Sequence, residues 1–174
     1  MRRRFKLPLK RRKNSLWAIC LILSACAGSL LLDSPPKTTD FSATLLFVSD
    51  GDTLTVRAGG EKRRIRLFGV DAPELKQRRG ADALAFLEGV LTDNLTLQCQ
   101  PKPDRYQRFV CDVYTAQNLW VNKALIENGW AWHYTAYSKN AELAAAQIAA
   151  RTAKKGLWAD KNPTPPWEWR QKQR

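Results

Sequence analysis

Three observations predict an α+β fold, a small closed barrel with helices packed on it. Segments of strand character, some β-rich and others alternating polar and apolar, recur five times, separated by turn residues or a helix. Three of them precede a segment of helical spacing, and two follow it before helical spacing returns. The pattern runs from about position 41 to 160, a length that suits one hydrophobic core.

Phe41 to Val48 is rich in β-formers, and Asp50-Gly51 after it is a strong hairpin signal. Thr53 to Arg57 alternates as a half-buried strand does. Asp52 shares the parity of Leu54 and Val56, so its carboxylate is expected at the end of the buried face. Ala58-Gly59-Gly60-Glu61 is a second turn. Lys62 to Val70 reads as the third strand, ended at Asp71-Ala72-Pro73-Glu74 because Pro73 has no N–H for a ladder. A basic loop, Leu75 to Gly80, leads to Ala81–Leu91, whose Leu84, Leu87 and Leu91 fall at helical spacing. Asn94 to Gln100 and Arg108 to Thr115 are strands four and five, joined by a turn through Pro101 to Gln107. Asn122 is expected to cap a short helix that Gly129 stops. After an aromatic-rich connection, a helix from Ala141 to Lys154 ends at Gly156, with Leu157-Trp158 packing back. The order β-β-β-α-β-β-α-α points to a five-stranded Greek-key barrel of the OB-fold type with about three packed helices. The remainder, 161–174, is rich in proline and charge and is expected to lie on the surface or to be disordered.

The net charge of +13 overstates the basicity of this domain, because eight of the 29 basic residues lie before position 14. Without them the balance is +5, which suits a polyanionic partner and equally a plain basic surface. The basic start and the apolar run that follows make residues 1–32 an export or anchoring segment, with 33–40 as a stiff, Pro-containing linker. Three readings of the segment stay open. Ala25-Cys26-Ala27 fits a cleavage site; Leu23-Ser24-Ala25-Cys26 fits a lipidation motif with Cys26 as the anchor; and the 19 uncharged residues from Asn14 to Leu32 are enough to span a bilayer. All three place the domain outside the cytoplasm, in a bacterial periplasm or at the cell surface, as a membrane-tethered or secreted form. His133 is the only histidine and no cysteine pair has metal-ligand spacing, which argues against zinc.

The chemistry-bearing residues concentrate in two stretches, Asp50-Gly51-Asp52-Thr53 and Arg66-Leu67-Phe68-Gly69-Val70-Asp71-Ala72-Pro73-Glu74. Either alone is ordinary turn chemistry. Together, and in order with Asp104-Arg105-Tyr106-Gln107-Arg108, Asn122 to Ala131 and Gly156-Leu157-Trp158, the chain resembles the staphylococcal nuclease (thermonuclease) family. The resemblance covers about 41–158 and implies an OB-fold nuclease that binds one Ca²⁺ and hydrolyses DNA and RNA, leaving 3′-phosphate ends.

By position, the resemblance makes Asp52 and Asp71 the carboxylate ligands of Ca²⁺, with the backbone carbonyl of Ala72 as a further ligand. Such an all-oxygen set suits a hard cation. Glu74 becomes the base for the attacking water. Arg66 and Arg108 become the phosphate clamp, since a guanidinium holds two phosphate oxygens at once. Arg105 and Tyr106 match nucleotide-contacting turn positions, and Tyr134 and Tyr137 lie near a further tyrosine pair suited to stacking on bases. Two departures stand out. Ala72 replaces a threonine, and Gln107 replaces a glycine in the arginine turn, so a turn that needs φ > 0 would be strained there. His133 is given no catalytic role.

Cys99 and Cys111 lie symmetrically about Arg105 and share the apolar face by parity, which predicts a cross-strand disulfide; buried free thiols are the alternative. A non-catalytic nucleic-acid-binding module is the competing function, and a structural Ca²⁺ protein is a third. Retention of Asp52, Asp71, Glu74, Arg66 and Arg108 separates a catalyst from both.

Overall fold

The computed structural model describes residues 39–173. The expectations for 1–32, for Cys26 and for most of the linker therefore fall outside the described residues. Five strands close into a barrel: β1 (Thr39–Asp50), β2 (Thr53–Ala58), β3 (Glu61–Leu67), β5 (Asn94–Cys99) and β6 (Phe109–Thr115). Around the barrel the order is β1-β2-β3-β6-β5, and β5 returns to pair with β1. The pairs are antiparallel except β3 with β6, where Ile65 lies opposite Phe109 and Leu67 opposite Cys111. This is the five-stranded OB-fold barrel that the element order predicts.

The alternation sets the core. Leu54, Val56, Ile65, Leu67, Leu97, Cys111 and Val113 are buried side chains of the strands. Helix α1 (Gly80–Val90) adds Ala83 and Leu87, α2 (Val121–Glu127) adds Leu125 and Ile126, and α3 (Ala141–Thr152) adds Leu143 and Ala146. Asn140 caps α3, its Oδ1 accepting from the amides of Glu142 at 2.8 Å and Leu143 at 3.1 Å. The tryptophans are largely packing groups: Trp130 lies 6.3 Å from Phe86, and Trp132 meets Trp158 edge-on at 4.3 Å.

Four local expectations change. The third strand stops at Leu67 instead of Val70. Gly69 turns the chain at φ 69°, and a Cβ there would lie 2.8 Å from Leu143 Cδ1 and 3.0 Å from Ser138 Cβ, so a larger residue would be strained at the kink. Val70–Asp71 then form a separate short strand, β4, paired with β7 (Trp132–His133). Asn122 does not cap α2: Trp120 holds that place, and Asn122 is a fully buried residue of the helix itself. Its Oδ1 accepts from the Val113 amide at 2.9 Å, and its Nδ2 donates to the carbonyls of Phe68 at 2.9 Å and Cys111 at 3.1 Å. It thus ties β6 to the end of β3. Finally, the tail carries a short helix, α4 (Pro166–Lys172), after a 3₁₀ turn over Gly156–Ala159, so four helices stand among the described residues where about three are expected.

Candidate active site

A cavity of about 690 Å³ opens at the end of the barrel where β1 turns into β2 and β3 gives way to β4. The hairpin turn is built by Asp50, whose Oδ1 accepts the Asp52 amide at 3.0 Å. Gly51 is required by close packing, since a Cβ on it would stand 2.7 Å from Ala72 Cβ and 2.9 Å from Ala83 Cβ. That close approach brings Asp52 against the β4 segment. Asp52 Oδ2 accepts the Ala72 amide N–H at 2.8 Å, and Oδ1 accepts the Thr53 hydroxyl at 3.1 Å.

One guanidinium joins the two aspartates. Arg66 Nη1 lies 3.0 Å from Asp52 Oδ2, and Nη2 donates to Asp71 Oδ1 at 3.0 Å. Asp71 is fully buried, and Asp52 nearly so. Burial pushes Asp52 up to about 7, with repulsion from Asp50 and Asp71 adding to it and Arg66 and the Ala72 amide pulling down. Burial also raises Asp71, against its arginine partners. The donors gathered here are all oxygen: two buried carboxylates beside the Ala72 backbone, with Glu74 on the same cavity wall. Among the described residues, no group of three or more His, Cys, Asp or Glu is arranged to hold a metal ion by itself. Backbone oxygen, water and substrate would have to complete any shell around Asp52 and Asp71, as is ordinary for a hard cation. The two buried carboxyl groups, already gathered around guanidinium cations, offer the oxygen donors that such an ion takes.

Arg108 enters from the β5–β6 hairpin and lines the same cavity. Asp104 builds its turn. Asp104 Oδ1 accepts the amides of Tyr106 at 2.9 Å and Arg108 at 3.0 Å, while Oδ2 accepts Arg108 Nε at 2.9 Å and Nη2 at 2.8 Å. Burial alone would raise Asp104, but these bonds hold it below the usual carboxylate range. Gln107 sits at φ 61°, so the left-handed geometry is kept where the expected glycine is missing. Arg105 and Arg108 both lie over the Tyr106 ring, at 4.8 and 5.3 Å. Cys99 and Cys111 are opposite residues of this hairpin and are bridged, with sulfurs 1.94 Å apart. Tyr134 and Tyr137 stand 4.9 Å apart on the other wall, and both line the cavity. His133 is buried in β7 and is not part of the lining.

Every side chain singled out from the sequence for catalysis, metal or substrate binding therefore lines one cavity, as does Ala72. Sequence reading missed two further lining residues, Trp167 and Arg170, and a brace outside the lining, Gln77. Buried Gln77 braces the loop after Glu74: its Oε1 accepts the Glu74 amide at 3.3 Å, and its Nε2 donates to the Thr164 carbonyl at 2.6 Å. Trp167 stacks parallel to Tyr134 at 5.6 Å. Arg170 forms ion pairs with Asp71 and Glu74, both at 2.9 Å. A signal for α4 was present: Pro166 at the first helical position, Glu168 early and Arg170 and Lys172 late, in keeping with the helix dipole.

The barrel and its acid-and-arginine cavity define an SNase-like nuclease of the OB-fold type. The family model for staphylococcal nuclease homologues matches residues 64–160, over half of the chain, and the chain belongs to that family. It is 35% identical over 136 residues to an uncharacterized endonuclease of Escherichia coli, covering 78% of this chain and 89% of the relative. A Haemophilus influenzae relative of the same description is 35% identical over 162 residues, covering 92% and 85%. The staphylococcal-like nuclease CAN1 of Arabidopsis thaliana is 42% identical over 118 residues, which is 66% of this chain and 35% of the plant protein.

Proposed function

We propose that the protein is a Ca²⁺-dependent phosphodiesterase that cuts DNA and RNA with little sequence preference, as an endonuclease. The observation that carries this reading is the bridging of Asp52 and Asp71 by Arg66 in a cavity that also holds Glu74 and Arg108. Asp52, Asp71 and the Ala72 carbonyl would hold the ion, which supplies Lewis-acid stabilisation of phosphate charge. Glu74 accepts the proton of the attacking water. Arg66 and Arg108 exchange carboxylate partners for phosphate oxygens and stabilise charge as it builds on phosphorus. The exposed Tyr106 and Tyr137 offer ring surface to bases, with Tyr134 packed beside Tyr137 and against Trp167 as part of the same aromatic wall, and a ring face does not discriminate among bases. The substrate is single-stranded or frayed nucleic acid, whose bases are free to stack. Export of the domain, with a tether at the N-terminus, is part of the proposal; the Cys99–Cys111 bridge supports it, because such bonds persist in oxidising compartments.

The test is digestion of single-stranded DNA and RNA with Ca²⁺, with EGTA, and with Glu74→Gln. Loss of cleavage by at least about a hundredfold is expected in both of the latter, the usual size of a general-base contribution. Full activity in EGTA or in the Glu74→Gln variant overturns the mechanism.

A further inference from the structure

Helix α4 delivers a second guanidinium to the carboxylates. Arg170 Nη2 donates to Asp71 Oδ2 at 2.9 Å, and Nη1 donates to Asp71 Oδ1 at 3.2 Å and to Glu74 Oε1 at 2.9 Å. With Arg66 also on Asp71 Oδ1, both oxygens of Asp71 are engaged and one of them is saturated. The same guanidinium occupies one of the two carboxylate oxygens of Glu74. The helix is held where it is: Trp167 stacks on Tyr134 and meets Trp132 edge-on at 5.6 Å, while Gln77 bonds the Thr164 carbonyl just before it.

Charge makes the contact consequential. Asp52, Asp71 and Glu74 can carry three negative charges, and Arg66 and Arg170 carry two positive ones. A divalent cation added to both arginines would leave the cluster positive, whereas the cation with Arg66 alone balances it. We propose that Arg170 sets the affinity of the site for its divalent cation: it holds Asp71 and Glu74 in a paired state that the cation has to break. This rests on the reading of Asp52 and Asp71 as the cation ligands.

Calorimetric titration of the full chain with Ca²⁺ tests it. Arg170→Gln binds Ca²⁺ roughly tenfold more tightly than wild type, because no charge-assisted bonds have to be given up. Arg170→Lys falls between, since an ammonium cannot make the forked contact. Trp167→Ala loosens α4 without touching a carboxylate and shifts affinity in the same direction; it decides the matter should Arg170→Gln fail to fold. Asp71→Asn abolishes binding. Unchanged or weaker Ca²⁺ binding by the folded Arg170→Gln or Trp167→Ala protein, with Asp71→Asn still inactive in binding, overturns the role of Arg170 and leaves the ligand reading standing. Binding that survives Asp71→Asn, or no binding by any form, overturns both.

Discussion

Asp112 is a carboxylate that accepts the Trp120 indole N–H at 2.9 Å and has no cation paired with it among the described residues. Burial pushes it up to about 6, against that hydrogen bond. A raised carboxyl contributes stability below its unfolded value and loses it as pH climbs through the folded one. Denaturant melts at about pH 4 and about pH 8 should therefore show wild type losing up to about 3 kcal/mol relative to Asp112→Asn, which keeps an acceptor for Trp120. An identical pH dependence in the two proteins would contradict this. Asn122 is the second residue to probe. Asn122→Ala leaves the Val113 amide and the Phe68 and Cys111 carbonyls short of a partner and should cost about 2–4 kcal/mol by the same melts. The sequence suggested a cap at Asn122 because asparagine before an apolar run is a common helix start. Its burial depends on β3 and β6 lying side by side, which no local pattern encodes.

The β5–β6 hairpin is the element on which the phosphate clamp depends. Its bridge closes a short loop, so reduction should lower stability by a little under about 3 kcal/mol and weaken cleavage through Arg108. Melts and activity with and without reductant measure both effects, and full alkylation of unreduced, unfolded protein would show that the bridge is absent. This pairing was legible because parity and turn position are local. The five barrel strands were legible for the same reason. The break at Gly69 was not, because Leu67, Phe68 and Val70 keep the segment apolar across it and only Leu143 and Ser138, packed from elsewhere, show why a glycine is needed. The helix α4 has its start and charge signals inside a stretch rich in proline and charge, and what holds it in place is contact with Trp132 and Tyr134 and the Gln77 bond to Thr164, none of which is local in sequence.

Across the whole molecule, acids and arginines from the β1–β2 turn, β3, β4 and the arginine turn converge at one end of the barrel. Binding of single-stranded DNA should accordingly weaken with salt, with log K falling by about 0.7 per log unit of salt for each phosphate neutralised. Arg105→Ala, on the exposed rim, should flatten that slope by about 0.7 and weaken all sequences alike; an unchanged slope would remove Arg105 from the interface. Motif order was enough to anticipate the members of the cavity, while their partners, Asp104 for Arg108 and Arg170 for Glu74, required the fold. The parallel pairing of Ile65 with Phe109, together with the return of β5 onto β1, has a kinetic meaning. Contacts so distant in sequence must be closed against chain entropy before they repay it, which places folding in the millisecond-to-second range of non-local β topologies. Arg108 is set in place only when β6 pairs with β3 and β5, so a half-folded chain carries Asp52, Arg66, Asp71 and Glu74 without the second arginine of the clamp. Cleavage activity should appear in refolding only with the slowest, barrel-closing phase.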